Sequence, residues 1–288
     1  MRQLAHRLRQ PRVLLAITLL GLTGGLILAA LVARGDLVGA DARAYWGAVR
    51  LWLGGGDPYA PGGVYLPYAY APWTLVIFLP WALLPWEVAW FSWTVMNVAF
   101  FAWSVGWAYR RRPLATAVLV AMLGVPLAAH LDTGNVGLLL VLAIWLSWFA
   151  SPRVGGLAWA IAAAMKWAPA LLIFFIPPRA RLWGVVALGV MALLTLATFP
   201  DMLRQLDVVL NFPRPVRVDY LLLAWGAVPW LWSQPSPAWW RNRAELARRW
   251  RERPSVIEWA HAFFGLDHLR PAGTAGTSTH ADSPRPSD

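Results

Sequence analysis

The chain has 288 residues, 59% of them hydrophobic and only 14% charged, with a mean hydropathy of +0.50. A soluble domain of this length carries nearly twice that share of charge, so an ordinary water-soluble globule is excluded. The net charge of +11 does not point to nucleic acid, because the arginines sit at the ends of apolar runs and toward the C-terminus, and the absence of cysteine excludes disulfides, thiolate metal sites and a cysteine nucleophile.

Apolar runs near 20 residues match the hydrocarbon thickness of a bilayer, and none alternates with period two, so the backbone must satisfy itself as helices. The predicted fold class is all-α, a polytopic transmembrane bundle of about seven spans. Arg2, Arg7, Arg9 and Arg12 precede a first run, residues 13–33. That run is long enough to cross and no small-x-small cleavage site follows, so it reads as a retained helix in the plasma membrane with a cytoplasmic N-terminus. A polar, aromatic loop, 34–71, follows and is placed outside. Further runs occupy 72–84, 86–109, 114–129, 136–150, 154–176 and 182–199, the first and fourth of them short. If 72–84 crosses, Arg110, Arg111 and Arg112 fall outside; if it dips in and returns, they fall inside, as the positive-inside tendency prefers. A last run, 221–232, is rich in Trp and Pro and suits the interface.

Residues 1–234 therefore read as one multi-pass membrane domain, 235–267 as a basic, Trp/Arg-rich segment, and 268–288 as a disordered tail rich in Pro, Gly, Ser and Thr. Within the basic segment, Trp239, Trp240, Leu246 and Trp250 interleave with arginines. The pattern fits an amphipathic helix on an anionic lipid surface or an ordinary solvated basic helix.

Carboxylates are scarce: before residue 200 there are Asp36, Asp41, Asp57, Glu87 and Asp132. Tyr45, Val49, Trp52 and Leu53 fall on one face of a helix lying along the membrane, Arg43 and Arg50 share another, and Gly54, Gly55 and Gly56 end it. Asp41 stands where an N-cap would. Tyr45, Tyr59 and Tyr70 belong to a cluster of loop tyrosines, readable as an interfacial belt or as a sugar-binding platform. Glu87 suits the first turn of a helix. Asp132-Thr133-Gly134-Asn135 breaks the apolar pattern as a turn would. Lys166, the only lysine, falls near the middle of the run 154–176, with Pro169 opening a polar kink beside it. It reads either as a functional charge or as a partner for a carbonyl or for Asp132. Histidines are too scattered to suggest a site, and no metal-ligand cluster or phosphate loop is evident.

The order Asp41…Tyr45-Trp46…Gly56-Asp57-Pro58-Tyr59, Tyr68-Ala69-Tyr70-Ala71-Pro72, Gly134-Asn135 and Lys166-Trp167-Ala168-Pro169 resembles glycosyltransferase family 87, from about Leu14 to Phe199. The resemblance implies the GT-C fold of membrane mannosyltransferases, a polyprenyl-phosphate sugar donor, a lipid or glycan acceptor, and no cofactor. It implies Asp41 as general base on the acceptor hydroxyl. Arg43, Arg50 and Lys166 are candidates for the donor phosphate, and Tyr45, Asp57, Tyr59, Tyr70 and Asn135 for substrate binding. Family members are generally longer, with further spans, and the usual Gly-Gln-x-Asn is Thr133-Gly134-Asn135 here. Two other readings fit the same residues: a non-catalytic relative that binds lipid-linked sugar or scaffolds a partner, and a transporter in which Lys166 is a substrate or proton site.

Overall fold

The computed structural model describes residues 10–35, 39–60, 66–211 and 218–233. The basic segment and tail expected beyond residue 234 lie outside the described residues, as does Asp36. Among the described residues the chain is helical, with no strand.

Helix α1 (Pro11–Arg34) starts on a proline, whose missing N–H costs nothing at a first turn. Helix α2 (Ala40–Leu53) follows Gly39 and closes on the three glycines. Gly55 N–H donates to Trp52 C=O (3.0 Å) and Gly56 N–H to Leu51 C=O (2.8 Å), with Gly55 at φ 75°, so the left-handed residue lets the chain cap its own last carbonyls. A 3₁₀ turn, Pro72–Thr74, leads into α3 (Leu75–Ala82). Together they rise about 16 Å, half a hydrocarbon core.

Helix α4 (Trp86–Arg111) places Glu87 in its first turn, as expected. Then come α5 (Pro113–Met122) and α6 (Gly124–Thr133), bent by 57° where Pro126 cannot donate to the Met122 carbonyl. Next are α7 (Gly137–Phe149), α8 (Pro152–Met165), a 3₁₀ segment (Ala168–Phe175) and α9 (Pro178–Ala197). Helix α10 (Phe199–Asn211), a 3₁₀ segment (Val218–Ala227) and α11 (Val228–Ser233) complete the described chain. Of these, α1, α4 and α9 are long and apolar enough to cross a membrane, and the bent α5–α6 pair adds a fourth candidate. The remaining apolar runs, which the sequence counts toward about seven spans, are shorter helices or 3₁₀ segments packed among them.

Two expectations change. The run 154–176 is not one helix with Lys166 at its middle: α8 ends at Met165, and Lys166 is extended (φ −140°, ψ 138°). Pro169 has no N–H to give the Met165 carbonyl, so the α-helix stops short and the chain resumes as a 3₁₀ segment. The run 221–232, expected at the interface, packs its middle into the core. Leu222 and Trp225 are fully buried, and Trp225 donates its indole N–H to Ser104 Oγ (2.9 Å) while its carbonyl accepts from Trp145 Nε1 (3.0 Å).

Contacts sort these segments into two ends. At the first, Gly39 N–H donates to Asp132 C=O (3.0 Å), Trp73 Nε1 to Thr195 Oγ1 (3.2 Å) and Gln205 Nε2 to Ala69 C=O (3.2 Å). At the second, Trp148 Nε1 donates to Phe175 C=O (3.0 Å), Trp232 Nε1 to Ala108 C=O (3.2 Å), and Arg181 Nη2 to Phe174 C=O (2.9 Å). The first, or loop end, carries Asp41, Asp57, Glu87, Asp132, Asp201 and Asp207. The second carries Arg110, Arg111, Arg112, Arg153, Arg179 and Arg181. Between them, α8 and α9 cross closely, because a Cβ on Gly156 would fall 2.5 Å from Ala180 C=O and 2.6 Å from Gly184 N.

Candidate active site

Three segments far apart in sequence meet at the loop end. Asp41 lies in the first turn of α2, where the helix dipole favours a carboxylate. It is not the N-cap: Gly39, left-handed at φ 56°, precedes the helix, and the Asp41 side chain turns inward instead. Its Oδ2 accepts from Asn135 Nδ2 at 2.9 Å. Asn135 Oδ1 in turn accepts from Lys166 Nζ at 2.8 Å and from Gly137 N–H at 3.0 Å. The amide therefore holds a carboxylate on one side and an ammonium on the other. Asp41 is 7% exposed and Asn135 3%, so the exchange takes place largely out of water, where charge-assisted bonds are strongest. Lys166 also stands 4.5 Å from the centroid of the Tyr220 ring, a cation–π contact.

The backbone around this chain is wedged in place by one indole. Gly134 ends α6 at φ 66°, and a Cβ there would fall 2.5 Å from the Trp90 ring and 2.8 Å from Ala42 Cβ. A Cβ on Gly39 would meet the same Trp90 ring at 3.1 Å. Trp90, stacked on Trp86 at 5.8 Å, thus seats both the start of α2 and the turn before Asn135. Arg34 pins the same turn from outside through Asp132, Nη1 to Oδ2 at 2.5 Å. Asp132 is buried and its Oδ1 has no hydrogen-bond partner among the described residues. Behind the turn, His130 Nε2 lies 3.3 Å from Asn97 Oδ1, and Asn97 Nδ2 donates to Trp93 C=O at 2.8 Å.

The loop tyrosines form a second, adjoining cluster. The Tyr45 and Tyr70 hydroxyls lie 3.2 Å apart, Tyr59 Oη donates to Tyr70 C=O (2.8 Å), and Tyr68 Oη bonds to Thr74 Oγ1 (2.5 Å). Tyr45 also stacks on Phe78 at 4.6 Å. Burial raises the Tyr59 pKa above the usual phenol range, with the carboxylates of Asp201 and Asp57 adding to the effect, and burial also raises that of Tyr68. Asp57 turns its own loop by accepting from Tyr59 N–H (2.9 Å) and meets Arg204 of α10 at 3.5 Å.

Arg43 and Arg50 are not in this chain of contacts. Both are exposed on the outer face of α2, their guanidiniums over the rings of Trp86 (4.7 Å) and Trp46 (5.1 Å). Of the four residues expected to share one face of α2, Tyr45 and Val49 are buried against α3, while Trp52 and Leu53 are about half exposed. Sequence reasoning missed Trp90, the Arg34–Asp132 pair and all of α10. The last was findable, since Phe199, Leu203, Leu206 and Leu210 follow helical spacing. Among the described residues no group of three His, Cys, Asp or Glu side chains is arranged to hold a metal ion.

Comparison with known proteins finds one relationship. The model of glycosyltransferase family 87 matches residues 68–271, well over half of the chain, and the chain belongs to that family. The matched stretch starts after Asp41 and runs beyond Phe199, so it overlaps the resemblance read from the sequence without coinciding with it. No curated protein and no solved structure matches the chain.

Proposed function

From its place in glycosyltransferase family 87, we propose that this membrane protein transfers a hexose, mannose being the first candidate, from a polyprenyl-phosphate donor to a lipid or glycan acceptor. The observation that carries the reading is the chain Asp41–Asn135–Lys166, buried at the first two and half-buried at the lysine, in which a base and a cation share one amide. Asp41 accepts the proton of the acceptor hydroxyl as its oxygen attacks the anomeric carbon. The bond from that carbon to the phosphate oxygen breaks with inversion, and its electron pair leaves on polyprenyl phosphate. Lys166 faces the charge that develops there. Asn135 links the carboxylate and the ammonium through the two ends of its amide. The tyrosine cluster, with hydroxyls over aromatic faces, is suited to a pyranose beside the base.

The placement of the two ends supports this. With the N-terminus cytoplasmic, α1 delivers Gly39 to the outside, α3 dips and returns, and α4 brings Arg110, Arg111 and Arg112 inside. Asp41, Asn135 and Lys166 then lie at the external surface, where a lipid-linked sugar presents its headgroup, and the arginine end faces the cytoplasm of a plasma-membrane protein.

The test is sugar transfer by the purified chain in nanodiscs, offered radiolabelled polyprenyl-phosphate sugars and mixed acceptors. Transfer by the parent and its loss in Asp41→Asn, with donor binding kept, is the expected result. Full activity of Asp41→Asn would falsify the base assignment. A second reading, a relative that binds donor without turnover, is favoured by one observation: Asp41 lies outside the family-matched residues. Saturable donor binding with no transfer by the parent would select it.

A further inference from the structure

Helix α10 plays no part in the chemistry above, and its two faces differ sharply. Asp201, Arg204, Gln205 and Val208 share one side of the helix. There Arg204 meets Asp57 (3.5 Å), Gln205 donates to Ala69 C=O (3.2 Å), and Val208 packs on the main core. The opposite side presents Phe199, Leu203, Leu206 and Leu210, spaced at four, three and four residues. Their exposures are 49%, 48%, 45% and 72%. An apolar stripe so exposed, opposite a face tied to the loop, is covered by something when the protein is at work.

What covers it follows from α9. That helix rises about 30 Å over its 20 residues, the full thickness of a hydrocarbon core. Its own outward residues Val186, Val190, Leu193, Leu194 and Leu196 are exposed, as the lipid-facing side of a span is. Helix α10 begins two residues after α9 ends, so with α9 crossing the core it starts where the acyl region gives way to headgroups. We infer that α10 is an interfacial helix whose Phe199–Leu203–Leu206–Leu210 face lies in the headgroup–acyl boundary of the bilayer, while its other face holds the tyrosine loop at that depth. The partner is the phospholipid leaflet itself. Polar residues on one side and bulky apolar residues on the other are what such placement requires. The consequence is mechanical: the loop that carries Asp57, Tyr59 and Tyr70 rides on a float tied to the leaflet, and so is set at a fixed height above the headgroups.

The absence of native cysteine makes this directly measurable. Leu203→Cys, Leu206→Cys, Leu210→Cys and, as a water-side control, Asn211→Cys would each be labelled with an environment-sensitive fluorophore in the full chain, reconstituted in phosphatidylcholine–phosphatidylglycerol nanodiscs. Quenching by lipids with a nitroxide near the headgroup is expected to be about threefold stronger at the three leucine positions than at Asn211, and stronger than quenching by a nitroxide near the chain end. Equal quenching of all four labels by aqueous iodide, without quenching by lipid nitroxide, would overturn the inference. So would labels at Leu203 and Leu206 shielded from both quenchers and cross-linking between two copies in one disc, which would assign the stripe to a self-association surface. None of these readouts depends on catalysis, so the result stands apart from the outcome of the transfer assay.

Discussion

At the loop end the cations meet polar partners: Arg34 reaches Asp132, Arg204 reaches Asp57, and Lys166 reaches Asn135. At the opposite end, the guanidiniums of Arg111, Arg112 and Arg153 lie over the rings of Trp107, Trp232 and Trp183, at 3.7, 5.5 and 4.9 Å. The two arrangements differ in what they demand. An arginine lying on an indole at a surface gains about 0.5–1 kcal/mol and tolerates movement. A carboxylate or amide that is more than nine-tenths buried must keep its partner, because its loss leaves an unsatisfied polar group out of water. The stacked arginines anchor the surface loosely, and the buried polar contacts fix particular atoms in space. Arg43 and Arg50, which sit at the loop end but stack on tryptophans, belong by this criterion with the anchors.

This contrast can be broken most severely at Asn135. Asn135→Leu removes one hydrogen bond to a carboxylate and one to an ammonium, each worth about 1.5–3 kcal/mol. Transfer is expected to fall about a hundredfold or more by initial rates, whereas the same assay on Arg153→Gln at the other end should stay within about twofold. Equal losses in the two variants would erase the distinction between fixing and anchoring.

Gly134→Ala is the next largest. The new Cβ meets Trp90 at 2.5 Å and the residue sits at φ 66°, so overpacking and strain together cost about 3 kcal/mol. Gly189→Ala, in the outer part of α9 with nothing within 4 Å of its Cβ, should change stability by under about 1 kcal/mol and toward greater stability. Unfolding midpoints in detergent would compare the two.

Tyr59 offers a pH-dependent test. An unburied phenol titrates near 10.0, and burial raises the folded value above that. Below pH 10 the neutral phenol's contribution is fully present, and it is lost as pH rises from the unfolded toward the folded value. The loop end should therefore loosen only in alkali, seen as faster amide exchange at residues 57–60 and 66–70. Tyr59→Phe should lower stability by about 1 kcal/mol through the lost bond to Tyr70 C=O and reduce that alkaline loosening. An unchanged alkaline profile in Tyr59→Phe would remove Tyr59 as its source.

The smallest effects separate surface pairs. The Arg204–Asp57 contact is 3.5 Å long with both side chains partly exposed, so Arg204→Gln should cost under about 0.5 kcal/mol, and less at high salt. Arg111→Gln should cost a similar amount with little salt dependence, since its partner ring carries no net charge. A large, salt-insensitive loss at Arg204 would mean that the pair does more than steady the loop.

Composition alone determined that the chain is helical and resides in a membrane, because apolar runs of that length leave the backbone no other way to satisfy its hydrogen bonds. The amphipathic helix after residue 39, its glycine terminus and the acidic first turn at Glu87 were also legible, since each depends on neighbours in sequence. The importance of Asp41, Asn135 and Lys166 could be suspected from scarcity of charge, but their meeting could not. It depends on the start of α2, the turn between α6 and α7 and the end of α8 coming together, so that residues 94 and 31 positions apart touch. Lys166 looked mid-helical on periodicity, and only the fold shows the chain extended there, close to Asn135. Trp90 seats the site because two glycines from different segments press on one ring, a relation among three distant residues that no local pattern encodes. The burial of Trp225 was likewise a tertiary decision: an apolar, Trp-rich run suits lipid interface and protein core equally, and the open hydroxyl of Ser104 and the indole of Trp145 drew it inward.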